Sequence, residues 1–178
     1  MKVAVASDIH GSYPSVVAFF FAAEKLGAER FVLLGDLYYH GIRNPLPEGY
    51  APMKVAELLN ERADDLLVVR GNCDSDVDVT VSSFDFLSSL VFTVGDKKVY
   101  CTHGDKYDKD HLPKGKYDVF LYGHFHTGLI EKREGLVLAN PGSLSLPKGG
   151  TERSFILLDE NELTLYSLEG KVLDETEI

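Results

Sequence analysis

The stretch Val68-Val69-Arg70-Gly71-Asn72-Cys73-Asp74-Ser75-Asp76 ends an apolar run with a Gly-Asn turn and a lone cysteine. A short apolar run bounded by glycine and acidic residues reads as a buried strand, and the turn reads as the loop at its carboxyl end. The layout recurs along the chain. Lys2–Ala6 leads into Ser7-Asp8-Ile9-His10-Gly11, and Arg30–Leu34 into Gly35-Asp36. Lys98–Cys101 leads into Thr102-His103-Gly104, and Asp118–Tyr122 into Gly123-His124-Phe125-His126. Each of these strand ends presents Asp, Asn or His beside a glycine. In open α/β sheets, ligands bind at the carboxyl ends of the strands. Glycine there lets the backbone turn sharply and keeps the approach to a ligand free of side chains.

Further strand-like runs are Leu136–Ala139, Ser154–Leu158 and Leu163–Leu168, with a C-terminal hairpin turning at Glu169-Gly170. A helix signal lies between the first two strands: Ser12 can cap it, Pro14 sits in its first turn and Gly27 stops it. A second helix is expected from Pro52 to about Arg62, with Val55, Leu58 and Leu59 facing inward. An early β-α-β-α-β half followed by a strand-rich half predicts an α+β chain: two packed sheets with helices outside, in one domain over residues 1–178.

Composition narrows the function. The 178 residues carry 28 acidic and 18 basic side chains, for a net charge of −10. That argues against a partner as anionic as long nucleic acid. It is compatible with a phosphate substrate if bound cations reverse the local field. The longest apolar run, Val16 to Ala23, is too short to span a membrane. The apolar part of the N-terminus is too short for a signal peptide, and with only two cysteines the expected compartment is the reducing cytoplasm. Phe19-Phe20-Phe21 on the first helix is expected in the core, with one ring left over for the surface or for a homo-oligomer contact.

The polar residues at the strand ends form a coherent set. Asp8 and His10, like His124 and His126, are spaced i, i+2, which in an extended chain points both side chains the same way. With Asp36, Asn72 and His103 they make a set of oxygen and nitrogen donors large enough for two metal ions if one carboxylate bridges. Mixed His and carboxylate ligation suits Mn²⁺, Fe²⁺ or Zn²⁺. Taken singly, Asp8, Asp36 and Asn72 are also ordinary turn or cap residues, and each histidine has a structural alternative. The recurrence at successive strand ends carries the metal reading.

These motifs resemble the calcineurin-like metallophosphoesterases: Asp8-Ile9-His10, Gly35-Asp36, Gly71-Asn72-Cys73-Asp74, His103 and Gly123-His124-Phe125-His126. Within that family the chain is similar to the YfcE-type phosphodiesterases. That resemblance rests on Leu46-Pro47-Glu48-Gly49-Tyr50-Ala51-Pro52, Arg70–Ser75, Asn140-Pro141-Gly142-Ser143 and Pro147-Lys148-Gly149-Gly150. The resemblance implies a four-layer αββα sandwich. It implies one metal on Asp8, His10, Asp36 and His126, and another on Asp36, Asn72, His103 and His124, with Asp36 bridging. Mn²⁺ is the expected ion, with Zn²⁺, Fe²⁺, Ni²⁺ or Mg²⁺ as other occupants. The expected reaction is hydrolysis of small phosphodiesters by in-line attack of a metal-bridging hydroxide, with Asp36, Asn72 and His103 at the reacting centre. Alternatives are a phosphomonoesterase, a short-strand nuclease, or an inactive interaction scaffold. Every donor position is filled here, which a degenerate scaffold would not need.

One position departs from the family pattern. Cys73 stands where the family places a histidine associated with protonating the leaving group. His40, just past the second strand end, is the substitute acid the sequence offers, unless it is a plain loop residue. Arg43 and Asn44 share its loop and are candidate phosphate contacts, with Cys73 as a further substrate contact. Asp74 is expected either to orient a histidine or to be a solvated turn carboxylate. Cys101 reads as a small core residue, and neither a Cys73–Cys101 disulfide nor a cysteine nucleophile is expected.

Overall fold

In the computed structural model, which describes residues 1–178, the apolar runs form the central strands. β1 (Val3–Ala6), β2 (Arg30–Leu33) and β3 (Leu66–Val69) lie side by side in parallel, with Val5 opposite Val32 and Leu33 opposite Val68. Helices α1 (Tyr13–Lys25) and α2 (Pro52–Asn60) make the crossovers that parallel pairing requires. Pro14 and Pro52 both sit in first turns, where their missing N–H has no helical partner. A 3₁₀ turn (Ala63–Asp65) leads into β3, and α3 (Asp76–Val81) follows it.

The second half is strand-rich: β4 (Phe86–Leu87), β5 (Leu90–Val94), β6 (Lys97–Thr102), β7 (Val119–Tyr122), β8 (Gly128–Arg133), β9 (Leu136–Pro141), β10 (Ser154–Leu158), β11 (Glu162–Ser167) and β12 (Val172–Glu177). They complete a seven-stranded sheet, β12-β11-β10-β1-β2-β3-β4, and a five-stranded sheet, β5-β6-β7-β9-β8. Both sheets are mixed. β6, β7 and β9 are mutually parallel, so their carboxyl ends share one edge, as those of β1, β2 and β3 do in the other sheet.

Val3, Val5, Val32 and Leu34 of one sheet pack against Val99, Cys101, Val119 and Leu121 of the other in a buried inter-sheet layer. The other face of the larger sheet packs Ala4, Ala6, Phe31 and Leu33 against Phe19, Phe20, Val55 and Leu59 of the two helices. Phe19 and Phe20 are therefore core, and Phe21 is 70% exposed. The expected sandwich is present, and its outer layers differ in kind. On the outer face of the smaller sheet, Phe120, Tyr122 and Leu138 pack with Tyr100 and Leu136 of neighbouring strands and with Tyr117 of the 112–117 loop, where no helix lies. No helix is long and apolar enough to cross a membrane.

Elements absent from the sequence-based expectation have a common cause. β4, β5 and β8 are only partly buried, so their patterns lack a continuous apolar run. α3 has six residues, too few for a periodicity to show. Its capping box, Ser75 with Asp78, is nonetheless written in the sequence.

Candidate metal centre

The donors stand on an unusual backbone. Asp8, His10, Asp36, His124 and His126 have φ values of 55°, 50°, 56°, 69° and 59°. Left-handed conformations are uncommon for residues other than glycine and cost energy that the surroundings must offset. Here the loops hold one another: the N–H groups of Asp8, His10 and Gly11 donate to the carbonyls of Gly35, Asp36 and Leu37 at 3.1, 2.9 and 2.9 Å. The i, i+2 pairs are thus not extended, contrary to the reading from spacing. The chain turns at each donor, and the turns aim both members of a pair inward.

Asp8 Oδ1 lies 3.2 Å from His126 Nε2 and 3.6 Å from His10 Nε2, and the two Nε2 atoms are 3.1 Å apart. His10 Nδ1 and His126 Nδ1 each donate to a backbone carbonyl, of Tyr39 and Leu146, at 2.7 Å. That places lone pairs on the Nε2 atoms that face each other. Asp8 Oδ1 is buried and has no hydrogen-bond partner. Its Oδ2 is satisfied, by Ser7 Oγ at 2.6 Å and the His124 N–H at 2.9 Å. An orphaned carboxylate oxygen and two imidazole lone pairs converging on one point repel unless a positive charge lies among them.

A second group adjoins the first. His103 Nδ1 donates to the Leu34 carbonyl at 2.6 Å, and its Nε2 faces Asn72 Oδ1 at 3.0 Å, His124 Nδ1 at 3.3 Å and Asp36 Oδ1 at 3.5 Å. Asp36 Oδ2 is 3.8 Å from His10 Nε2, so this carboxylate stands between the groups. The electrostatics agree with the geometry. With no ion bound, burial would raise Asp8, yet the adjacent His10 and His126, in their protonated forms, would hold its carboxyl far below the usual range. Burial would lower His10 and His103, yet the neighbouring carboxylates Asp8 and Asp36 raise both. The cluster favours positive charge, and its oxygen and nitrogen donors fit divalent cations.

The surrounding turns fix this arrangement. A Cβ on Gly71 would lie 2.2 Å from Asp36 Oδ1, and one on Gly123 would lie 2.0 Å from Ser7 Oγ, so the close approaches require glycine. Asp74 takes neither of the two roles the sequence suggested: it is not solvated and it is not bound to a histidine. It is 5% exposed, and its two oxygens accept the backbone N–H groups of Asp36, Leu37 and Gly71 at 2.7–2.8 Å. Burial and the Asp36 charge, opposed by those N–H groups, leave its pKa raised to about 6. Ser7, Ser143 and Asn140 escape a reading built on metal donors. Ser143 Oγ donates to the Asp8 carbonyl and Asn140 Nδ2 to the Gly123 carbonyl, bracing two of the turns.

A cavity of about 770 Å³ opens over Asp36, Asn72, His124 and His126. Arg43, Asn44 and Cys73 line it, joined by Lys148, which the sequence offered only as part of the Pro147–Gly150 motif and not as a site residue. The Lys148 N–H donates to the His126 carbonyl at 2.8 Å, which brings it there. His40 is not brought in. Its ring sits edge-on to Tyr39 and Tyr50, with centroids 4.7 and 5.5 Å away, and it does not line the cavity. Cys73 is half-buried beside His10 and Asp36. Burial, then the Asp36 charge, pushes its thiol up to about 12, so it is a neutral group. Cys101 is buried in the inter-sheet core, and both cysteines are free.

A two-sheet sandwich with an Asp/His/Asn cluster at its strand ends defines a metallophosphoesterase. The chain belongs to the calcineurin-like phosphoesterase superfamily, whose domain matches residues 1–163. It is 43% identical over 170 residues to phosphodiesterase YfcE of Escherichia coli K12, covering 94% of this chain and 92% of that protein. The solved structure of the E. coli phosphoesterase Yfce superposes with a TM-score of 0.95 at 39% identity over 100% of both chains. Vacuolar Protein Sorting 29 from Cryptosporidium parvum shares the fold, with a TM-score of 0.64 at 21% identity over 99% of this chain and 97% of that one.

Proposed function

We propose that this phosphodiesterase hydrolyses small phosphodiesters with two divalent ions. Asp8, His10, Asp36 and His126 would hold one, and Asp36, Asn72, His103 and His124 the other, with Asp36 common to both sets. The observation that carries this reading is the unpartnered, buried Asp8 Oδ1 faced by two imidazole lone pairs. The histidine-rich donor set favours Mn²⁺, or Fe²⁺ or Zn²⁺, over Mg²⁺. When bound, such ions lower the pKa of water and neutralise charge on phosphate oxygens. The chain's own residues position the rest. Backbone carbonyls lock the imidazole tautomers, Asn72 contributes a neutral oxygen, and Arg43 and Lys148 supply positive charge at the cavity wall for the phosphate. With His40 outside the cavity and the Cys73 thiol a weak acid, the departing group takes its proton from water. The whole chain is read as one domain, and its two free cysteines suit the cytoplasm.

Metal-stripped protein is expected to hydrolyse neither bis-p-nitrophenyl phosphate nor p-nitrophenyl phosphate. Added Mn²⁺ should restore activity, with preference for the diester. Mn²⁺ binding without turnover of either compound would favour the scaffold reading, and preference for the monoester would favour a phosphatase. Cys73→Ser should change kcat/KM by less than about fivefold, since no step is assigned to the thiol. A much larger loss in a variant that still binds Mn²⁺ would give the thiol a direct role.

A further inference from the structure

A second cavity, of about 340 Å³, adjoins the first and shares Tyr39 and Cys73 with it. The first is walled by charged, imidazole and amide groups, among them Arg43, Asn72 and Lys148, beside Ile42, Pro45 and Phe125. The second is walled by Tyr38, Tyr39, Tyr50, Met53, Val77 and Val81. Some of its polar atoms are engaged within the fold, while the Tyr39 and Tyr50 hydroxyls have no partner there. The Tyr38 hydroxyl is hydrogen-bonded to Ser82 Oγ at 2.7 Å, and the Ser75 N–H donates to Asp78 Oδ2 at 2.7 Å in the capping box of α3. What faces the cavity is mostly ring surface and aliphatic carbon, with the Asp78 carboxylate in the wall. Such a wall suits an uncharged apolar group and disfavours an anion.

We propose that this pocket is the subsite for the ester group that stays on phosphorus, so that the preferred substrate is a phosphodiester whose retained substituent is an uncharged aromatic or aliphatic group. The inference rests on the phosphodiesterase reading above and adds the substrate class to it. In the reaction, a water oxygen bonds to phosphorus as one P–O ester bond breaks. The departing oxygen leaves with the electron pair and takes a proton from water, and the other ester bond survives. The departing oxygen gains negative charge, which would be unfavourable among apolar side chains beside Asp78. It belongs on the side of Arg43 and Lys148, and the neutral retained group belongs in the pocket. The same wall gives a reason to prefer diesters. A monoester would direct an anionic oxygen, in place of a neutral substituent, at the apolar pocket.

The test uses two diesters with the same p-nitrophenyl leaving group, one retaining phenyl and one retaining methyl, on Mn²⁺-loaded full-length protein. The phenyl ester should have the higher kcat/KM by at least about tenfold, expressed chiefly in KM, as apolar pockets discriminate. Met53 and Val77 are 58% and 68% exposed, so Met53→Glu and Val77→Glu introduce charge with little effect on the core. Each variant should lose several-fold more on the phenyl ester than on the methyl ester, with Mn²⁺ affinity retained. Equal losses on both substrates, no loss on either, or no phenyl preference in the parent protein would overturn the subsite and leave the phosphodiesterase reading intact. Turnover of neither diester by the Mn²⁺-loaded parent would overturn that reading and the subsite with it.

Discussion

Asp36→Ala is expected to lose both ions and to lower diester hydrolysis by at least about 10³-fold, the scale set by removing a central electrostatic group from a reacting centre. The two groups of donors touch through this side chain: Oδ1 is 3.5 Å from His103 Nε2 and Oδ2 is 3.8 Å from His10 Nε2. Alanine would leave the imidazoles of both groups without the carboxylate between them. It would also strip the acceptor from the Cys73 N–H, which donates to Asp36 Oδ1 at 2.8 Å. Metal content by atomic absorption, measured beside turnover, checks the prediction. Asp36→Asn separates charge from shape, because it keeps a carbonyl oxygen in place and removes the anion. Its metal content should fall between those of the parent protein and the alanine variant. Full activity in Asp36→Ala would sink the site assignment.

Asp74→Ala is expected to produce the largest stability loss. The carboxylate accepts three buried backbone N–H groups, those of Asp36, Leu37 and Gly71. Leaving a buried donor unpaired costs about 1–3 kcal/mol. The three share one partner and do not add simply, so roughly 3–6 kcal/mol is expected, which for a chain of this length lowers Tm by roughly 10–20 °C. The loss should reach the site, because Asp36 is one of the residues held. Ion affinity should fall roughly 10- to 100-fold, as when a supporting group of a metal site is removed. Asp74→Asn retains a carbonyl oxygen that can accept two of the three N–H groups, so it should lie between. Thermal unfolding and Mn²⁺ titration read the two effects separately. An alanine variant that melts with the parent protein would show that Asp74 does not frame the turns.

The strand ends and the donors upon them were legible because both are local. A run such as Leu66–Val69 declares a buried strand by its own composition, and Gly71-Asn72 declares a turn by its own backbone preferences. Partly buried segments such as β8, Gly128–Arg133, carry no such declaration, and their pairing is decided by the neighbour they meet. Burial of β1 and β2 on both faces, and of β3 apart from the exposed Leu67, is why the parallel core could be read as continuous apolar runs.

The sequence by itself determined the order of the central strands and helices, a set of seven candidate donors, and the family motifs that join them to phosphoester chemistry. Only the tertiary structure decided how those donors converge: left-handed turns, not extended pairs, aim them. It decided that Asp74 frames the Asp36 turn, 38 residues away in the chain, and that His40 packs on Tyr50 outside the cavity. It also brought Lys148 to the cavity and set an apolar pocket beside it. The physical reason is separation along the chain. Turn and strand preferences act between near neighbours. Hydrogen bonds, desolvation and pocket walls join residues tens of positions apart, and their partners are fixed only when the sheets pack.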